Sequence, residues 1–329
     1  MPRCLLHDPI DHRVSVASLD APTPGDGQLV VHIEYSAISP GTELRGLAGK
    51  QVNQPTRPYV GGYSAAGRVV EGGHGFDAGD AVFVSGNDHT SPHDRMWGGH
   101  VSHAVVDSGD LVRIPEGVPM HVAAMGKMLA IGHHGTRLVD RLHERRALVV
   151  GLGIIGQAAA RSLSAQGVSM LAVDRSVQRV SDLALAEVPA EVAGDLTAQC
   201  KDHLGGAPDL IVDATGVPQV TTALMPLFRS APWGELLSPL AYYVIQGSYP
   251  ADIVIDYDAA FRVEASIVVA RDCGRADLEQ VFQLLASGDM STANLAPDPI
   301  HPADAPALYD ALAEPATAPL TGIIDWRDD

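Results

Sequence analysis

ALVVGLGIIGQAAARSLSAQ, residues 147–166, decides how the rest of this chain is read. Its first four residues are an apolar run of strand type, and residues 157–166 read as a helix. Between them Gly151, Gly153 and Gly156 match G-x-G-x-x-G in the context that motif needs, strand before and helix after. Gly151 permits the tight turn, Gly153 lets backbone approach a pyrophosphate, and Gly156 lets helix and strand pack closely. Ile154 and Ile155 lie in this turn, and the N-terminus of the helix that follows offers unpaired N–H groups and a partial positive charge to phosphates. A glycine turn that binds nothing is the alternative, and strand, helix and a downstream acid in register argue against it.

Downstream, SMLAVD (169–174), DLIVDAT (209–215) and ELLSPL (235–240) alternate with helical stretches. Such alternation predicts a doubly wound parallel sheet covered on both faces. Asp174 ends the second strand eighteen residues after Gly156. That is close to the ~20 at which a carboxylate meets the ribose 2′-hydroxyl of a dinucleotide. A carboxylate there repels a 2′-phosphate, which favours NAD. Arg175 and Arg179 keep NADP open, because a neighbouring guanidinium can bind that phosphate. Thr215 and Gly216, past the end of a later strand, are either neighbours of the nicotinamide or only a strand-to-helix turn.

Upstream, residues 1–120 hold short β-like runs at 28–34, 65–71, 81–84 and 100–106, punctuated by PGDG (24–27) and EGGHG (71–75). This predicts a β-rich, barrel-like domain. Residues 121–270 form the dinucleotide domain. From 271 to 329, helices at 276–287 and 303–314 and a closing strand in TGIIDW (321–326) return most simply to the first domain. The expected class is α/β, a Rossmann domain inserted in a β-rich one.

The 329 residues carry 22 Lys and Arg against 40 Asp and Glu, a net charge of −18. So acidic a chain repels phosphate backbones and anionic membranes, so neither is an expected partner. Cys4, Cys200 and Cys273 form no CxxC pair and suit a reducing compartment. The chain opens on no sustained apolar run, and its most apolar stretch, 147–160, is broken by glycines and too short to span a bilayer. A soluble, cytoplasmic protein acting on a small molecule is expected. His89, His93, His100 and His103 cluster in sequence, but without a partner Cys or fixed spacing they read as surface or hydrogen-bonded residues rather than metal ligands.

EYSAISPGTEL (34–44), PYVGGYSAAGRVVEGG (58–73), GDAVFV (79–84), GGHVSHAVVDSGDLVRIPEGV (98–118), VVGLGIIG (149–156) and DLEQVFQLLASGDM (277–290) together resemble the medium-chain dehydrogenase/reductase superfamily over nearly the whole chain. The resemblance implies a GroES-like barrel as catalytic domain, hydride exchange with NAD or NADP, and a homodimer or homotetramer. Within the superfamily the chain is similar to the bacteriochlorophyllide a hydroxyethyl dehydrogenase group, in ISPGTE (38–43), Gly62-Tyr63 and Trp97-Gly98-Gly99. In zinc-dependent members the corresponding segments carry a Cys, a His-Glu pair and a Cys or Asp. Here Ser39 or Pro40, then Tyr63 and Ser64, then Gly126-Lys127 stand in those places. None is a zinc donor, and three cysteines cannot build the family's four-cysteine structural site, so no zinc is expected.

Without a metal, another group must stabilise a developing alkoxide. The resemblance implies Thr42 as the hydroxyl that relays the alcohol proton, with Ser39 and Tyr63 placed to help, and Glu43 as an acid bracing the loop. Lys127, beside the vacated ligand position, either polarises a carbonyl or is a solvated helix residue. His134, or its neighbour His133, either relays a proton near neutral pH or packs. The expected activity is interconversion of a secondary alcohol and a ketone. Zinc-free reduction of an activated C=C bond or a quinone, and a non-catalytic dinucleotide-binding sensor, are the alternatives.

Overall fold

The computed structural model describes all residues except 231, 236–240, 250, 251, 315–317 and 329. It divides into two compact units, residues 1–127 with 278–286 and 295–329, and residues 128–277 with 287–294. Periodicity alone puts the divisions at 120 and 270. The first instead falls inside the helix Gly126–Arg137, and a continuous helix leaves no linker for composition to reveal.

In the first unit the long strand Gln28–Ala37 organises the main sheet. It lies between Ile323–Asp325 and Ala65–Val69, and it also pairs His103–Asp107; Ala81–Val84 and Val112–Arg113 continue the sheet. Its alternation is the period of a half-buried strand, with Leu29, Val31 and Ile33 turned into the core. A register shift between Ile33 and Tyr35 breaks that period, so Tyr35, Ser36 and Ala37 are all buried. A second sheet runs Arg13–Ser18, Arg3–Asp8, Tyr59–Val60, Asp94–Arg95. The two N-terminal strands have no counterpart in the sequence reading. The run at 100–106 is strand only from His103, which leaves His100 in the buried approach to it. The tail elements are the helices Arg275–Ser287 and Ala305–Leu312 and the strand Ile323–Asp325. The last helix and strand place Tyr309, Ile324 and Trp326 in the core of this unit.

The second unit is a six-stranded sheet in the order Ala190–Val192, Ser169–Asp174, Arg146–Val150, Leu210–Asp213, Tyr242–Ile245, Ser266–Val269, with every pairing parallel. Leu148, Leu171 and Ile211 pack into one apolar layer; Val149, Ala172 and Val212 pack into the other. Burial on both faces is why these strands read as continuous apolar runs rather than alternating ones. The strand placed by sequence at 235–240 falls largely outside the described residues, and Tyr242–Ile245 pairs next to Leu210–Asp213. The strand order reverses between Arg146–Val150 and Leu210–Asp213, so a ligand crevice is expected beyond their carboxyl ends. Among the described residues no helix is long and apolar enough to cross a membrane.

Candidate active site

The glycine turn sits at that reversal point. Gly151, at φ +88°, turns the chain out of Arg146–Val150, and Gly153 begins the helix Ile154–Ala165 with no side chain capping it. A Cβ on Gly156 would lie 1.7 Å from the Gly151 carbonyl oxygen, so turn and helix close only on glycine. A Cβ on Gly153 would meet nothing within 4 Å. Open space before an uncapped helix start is the geometry that binds phosphate. Ile154 is buried and Ile155 half-buried at the first helical positions.

Asp174 closes its strand with both oxygens engaged. Oδ2 accepts the Leu152 N–H at 2.6 Å and Oδ1 the Ser176 N–H at 2.8 Å, so the acid is bonded to the turn itself. Arg179 Nη1 is 3.9 Å from Oδ2, beyond a direct hydrogen bond, and Arg175 is exposed. Thr215 stands beside the turn, since a Cβ on Gly151 would lie 3.0 Å from the Thr215 Cα, and Gly216 follows it at φ +66° against the Ser248 backbone. The Thr215 hydroxyl donates to Asp213 Oδ1 at 2.7 Å, and the Tyr243 hydroxyl donates to Oδ2 at 2.5 Å. Burial first, and then the Asp213 charge, push the Tyr243 phenol far up, so it stays a donor. Asp213 and Tyr243 were not singled out in sequence, where the strand ending in Asp213 reads only as an apolar run. The turn, the acid and the Thr215 neighbourhood fit a dinucleotide.

The hydroxyl cluster belongs to the first unit. The helix Pro40–Leu47 starts from Ser39 with Pro40 in its first turn, where the missing N–H costs nothing. Glu43 Oε1 accepts the Ser39 N–H at 2.7 Å, which ties the start of the helix to its own second turn. Ser39 and Thr42 thereby lie on one turn. Tyr63, arriving just after Tyr59–Val60, donates to Ser39 Oγ at 2.5 Å and reaches Thr42 Oγ1 at 3.2 Å. The Trp97 ring packs edge-on against Tyr63, centroids 5.0 Å apart. Three of the residues suggested by sequence therefore meet.

The other suggestions fall elsewhere. Ser64 donates to the Ala124 carbonyl at 2.6 Å and accepts the Lys127 N–H at 3.3 Å, while Lys127 itself is half-buried. His134 lies in the second unit, its Nδ1 3.0 Å from Asp277 Oδ2, and Arg137 binds the other oxygen of the same acid. His133 Nδ1 is 2.8 Å from Ser162 Oγ. Of the four clustered histidines, His93 meets the Ser18 carbonyl, His103 meets Ser102, and His100 is wholly buried against Glu43. At the positions to which the resemblance assigns metal ligands, Ser39 or Pro40, Tyr63 with Ser64, and Gly126 with Lys127, this chain presents hydroxyls, backbone and a lysine. Such a set does not fit zinc, which takes thiolate, imidazole or carboxylate. Among the described residues no group of three or more His, Cys, Asp or Glu is gathered to hold a metal.

Comparison with known proteins places the chain in a family. Residues 134–223, around the glycine turn, match the family model described as Shikimate / quinate 5-dehydrogenase. The 2-desacetyl-2-hydroxyethyl bacteriochlorophyllide A dehydrogenase of Cereibacter sphaeroides is 31% identical over 98% of this chain and 97% of its own length. The enzyme of the same name from Rhodobacter capsulatus is 30% identical over 95% and 94%. The crystal structure of 2R,3R-butanediol dehydrogenase from Bacillus subtilis superposes with a TM-score of 0.84 over 99% of each chain at 19% identity, a likeness of fold. With a GroES-like barrel, a Rossmann sheet and full-length relatives of this kind, the chain belongs to the medium-chain dehydrogenase/reductase family of oxidoreductases.

Proposed function

We propose that this chain interconverts a secondary alcohol and a ketone with NAD(H) and without zinc. One observation carries the reading. The Tyr63 phenol donates at 2.5 Å to Ser39 and lies 3.2 Å from Thr42, so three hydroxyls converge within hydrogen-bond reach of one another. The two bacteriochlorophyllide relatives are named for a hydroxyethyl group in place of an acetyl, an alcohol and ketone pair, which supports the substrate class.

The nicotinamide, when bound, supplies or accepts the hydride. Gly151, Gly153 and Gly156, with the helix start at Ile154 and Ile155, would hold the pyrophosphate; Asp174 would hold the adenosine ribose, and Thr215 and Gly216 would flank the nicotinamide. Arg179 pairs with Asp174 only at 3.9 Å, longer than a hydrogen bond, and a carboxylate at the ribose position favours NAD over NADP. During reduction a proton must reach the substrate oxygen. Tyr63 gives it, and the Ser39 and Thr42 hydroxyls turn to donate to the phenolate left behind. Oxidation runs the same atoms in reverse. No step is assigned to Lys127 or His134. Self-association is part of this reading, supported by the exposed Trp233, Tyr257 and Phe261 rings and by Val269 on the outermost strand of the sheet.

The test uses chelator-treated protein, NADH and a panel of methyl ketones, enones and quinones. Ketone turnover that survives chelation is expected, with Tyr63→Phe lowering kcat by about 100-fold or more while NADH affinity holds. Turnover only on enones or quinones overturns the alcohol–ketone assignment, and zinc-dependent turnover overturns the metal-free one. NADH binding without turnover on the whole panel points to the sensor.

A further inference from the structure

Directly behind the hydroxyl cluster lies a buried carboxylate. Glu43 is 3% exposed. Its Oε1 takes the Ser39 N–H; its Oε2 takes a hydrogen bond from the Tyr309 hydroxyl and lies 2.8 Å from His100 Nε2 and 3.5 Å from His7 Nε2. These partners come from the strand Arg3–Asp8, the approach to His103–Asp107, and the helix Ala305–Leu312. Because Tyr309 spends its proton on Glu43, His7 Nε2 carries the hydrogen in the 3.0 Å contact between His7 and Tyr309. The Tyr59 ring stacks on His7 and completes the enclosure.

This network grips both halves of the hydroxyl cluster. Through the Ser39 N–H it fixes the turn that bears Ser39 and Thr42. Through His100 it fixes the segment that bears Tyr63. Gly62 adopts φ +85°, and a Cβ there would lie 2.6 Å from the His100 ring, so the imidazole is pressed on the backbone one residue before Tyr63. The His100 N–H also donates to the Gly61 carbonyl at 3.0 Å, and the Gly99 N–H to the Gly62 carbonyl at 2.8 Å. The ring cannot drift, because its Nδ1 is 2.8 Å from Ser36 Oγ, and the Trp326 indole N–H holds that oxygen at 2.8 Å. Packing alone does not call for such a cluster, since apolar residues of similar volume often stabilise as well as a buried ionic group.

We propose that His100 and Tyr309, acting through Glu43, are positioning residues that hold Tyr63, Ser39 and Thr42 in register for proton transfer. The proposal rests on the reading of those hydroxyls as the reacting group. Burial alone would raise the Glu43 carboxyl, but the charge and hydrogen bond of His100, followed by those of His7, hold it well below the usual carboxylate range. The acid therefore stays an acceptor throughout the working pH range.

Tyr309→Phe removes one donor to Glu43 and leaves the ring in place. In the full-length protein it is expected to lower kcat about 10-fold, since small misplacements of reacting groups cost at least that much. KM and NADH affinity should stay within about threefold, and the pH limb of kcat that Tyr63→Phe abolishes should move. If Tyr309→Phe does not fold, His100 supplies the same test. His100→Gln keeps a donor for Glu43 and should keep more of kcat than His100→Leu, which keeps none. A melting temperature that falls while kcat and its pH limb stay put makes the cluster merely structural and overturns the proposal. Full kcat in Tyr63→Phe sinks the hydroxyl reading and this proposal together. Loss in Tyr63→Phe without loss in Tyr309→Phe sinks this proposal alone.

Discussion

The glycine turn and the hydroxyl cluster are built in opposite ways. The turn is a local object, with Gly151 to Gly156 and the acid at Asp174 in one strand–helix–strand unit and with recognition written in backbone. The hydroxyl cluster joins two turns 24 residues apart, Ser39 and Tyr63, over a carboxylate whose donor Tyr309 lies 266 residues away. A site made of backbone depends on where side chains are missing. A site made of side chains depends on what holds them. Mutations should separate the two sharply.

The largest effect is expected at Gly156. A methyl group there meets the Gly151 carbonyl oxygen at 1.7 Å, so the turn must deform. Gly156→Ala should weaken NADH binding by at least about 100-fold, some 2.7 kcal/mol, and lower the melting temperature as well. Gly153→Ala is the matched control. Its methyl touches no protein atom within 4 Å, so the free protein should melt within a few degrees of the parent while NADH binding falls. Fluorescence titration and thermal melts of both variants read the pair. Equal behaviour of the two would mean that the turn is only a packing device.

Asp174 gives the next largest effect. Asp174→Asn keeps the shape and removes the charge from a group that also accepts the Leu152 N–H. NADH affinity is expected to fall roughly 10-fold, the range of one charge-assisted hydrogen bond, and NADPH should gain relative to NADH. Kd values for both nucleotides check it. An unchanged ratio would mean that Arg175 and Arg179 set the preference.

The same contrast decides what was legible beforehand. The parallel sheet was readable because strands such as 147–150 and 169–174, buried on both faces, are continuous apolar runs, and because the glycines must be adjacent to make a turn. Ser39, Thr42 and Tyr63 were found by resemblance to a family, with no local pattern demanding that they meet. The partners of Glu43 carry no signal in the sequence. His7 sits in RCLLHD, His100 in a histidine-rich lobe and Tyr309 in an unremarkable amphipathic helix, and only folding brings them together. The RCLLHD strand itself gives no period-two signal, since Cys4, Leu5 and Leu6 run together instead of alternating with polar residues.

The smallest predicted effect uses pH to tell the units apart. His7 is buried, and burial, set against the pull of Glu43, holds its imidazole below the ordinary value of 6.5. As pH falls through 6.5 the unfolded chain therefore takes up a proton that the folded chain refuses. The stability tied to His7 is full above 6.5 and declines below it, by at most about 1.4 kcal/mol for each pH unit, until the folded imidazole protonates in turn. His103, in the same unit, is shifted the same way, first by burial and then by His32. Glu43 adds its own loss only below its ordinary 4.5. In the second unit Asp277 is held low by the Gly274 N–H and Arg137 against its burial, and it contributes until pH drops below 3.8. Between pH 6.5 and 5 the barrel unit should thus loosen, and the step at His7 should leave the Rossmann unit untouched. Amide hydrogen exchange at pH 7.5 and 5.5, corrected for intrinsic rates, should show protection falling in Arg3–Asp8 and Tyr59–Val60 but not in Arg146–Val150. A His7→Phe variant should flatten that difference. Equal loss of protection in both units would mean that the histidine cluster does not set the acid response.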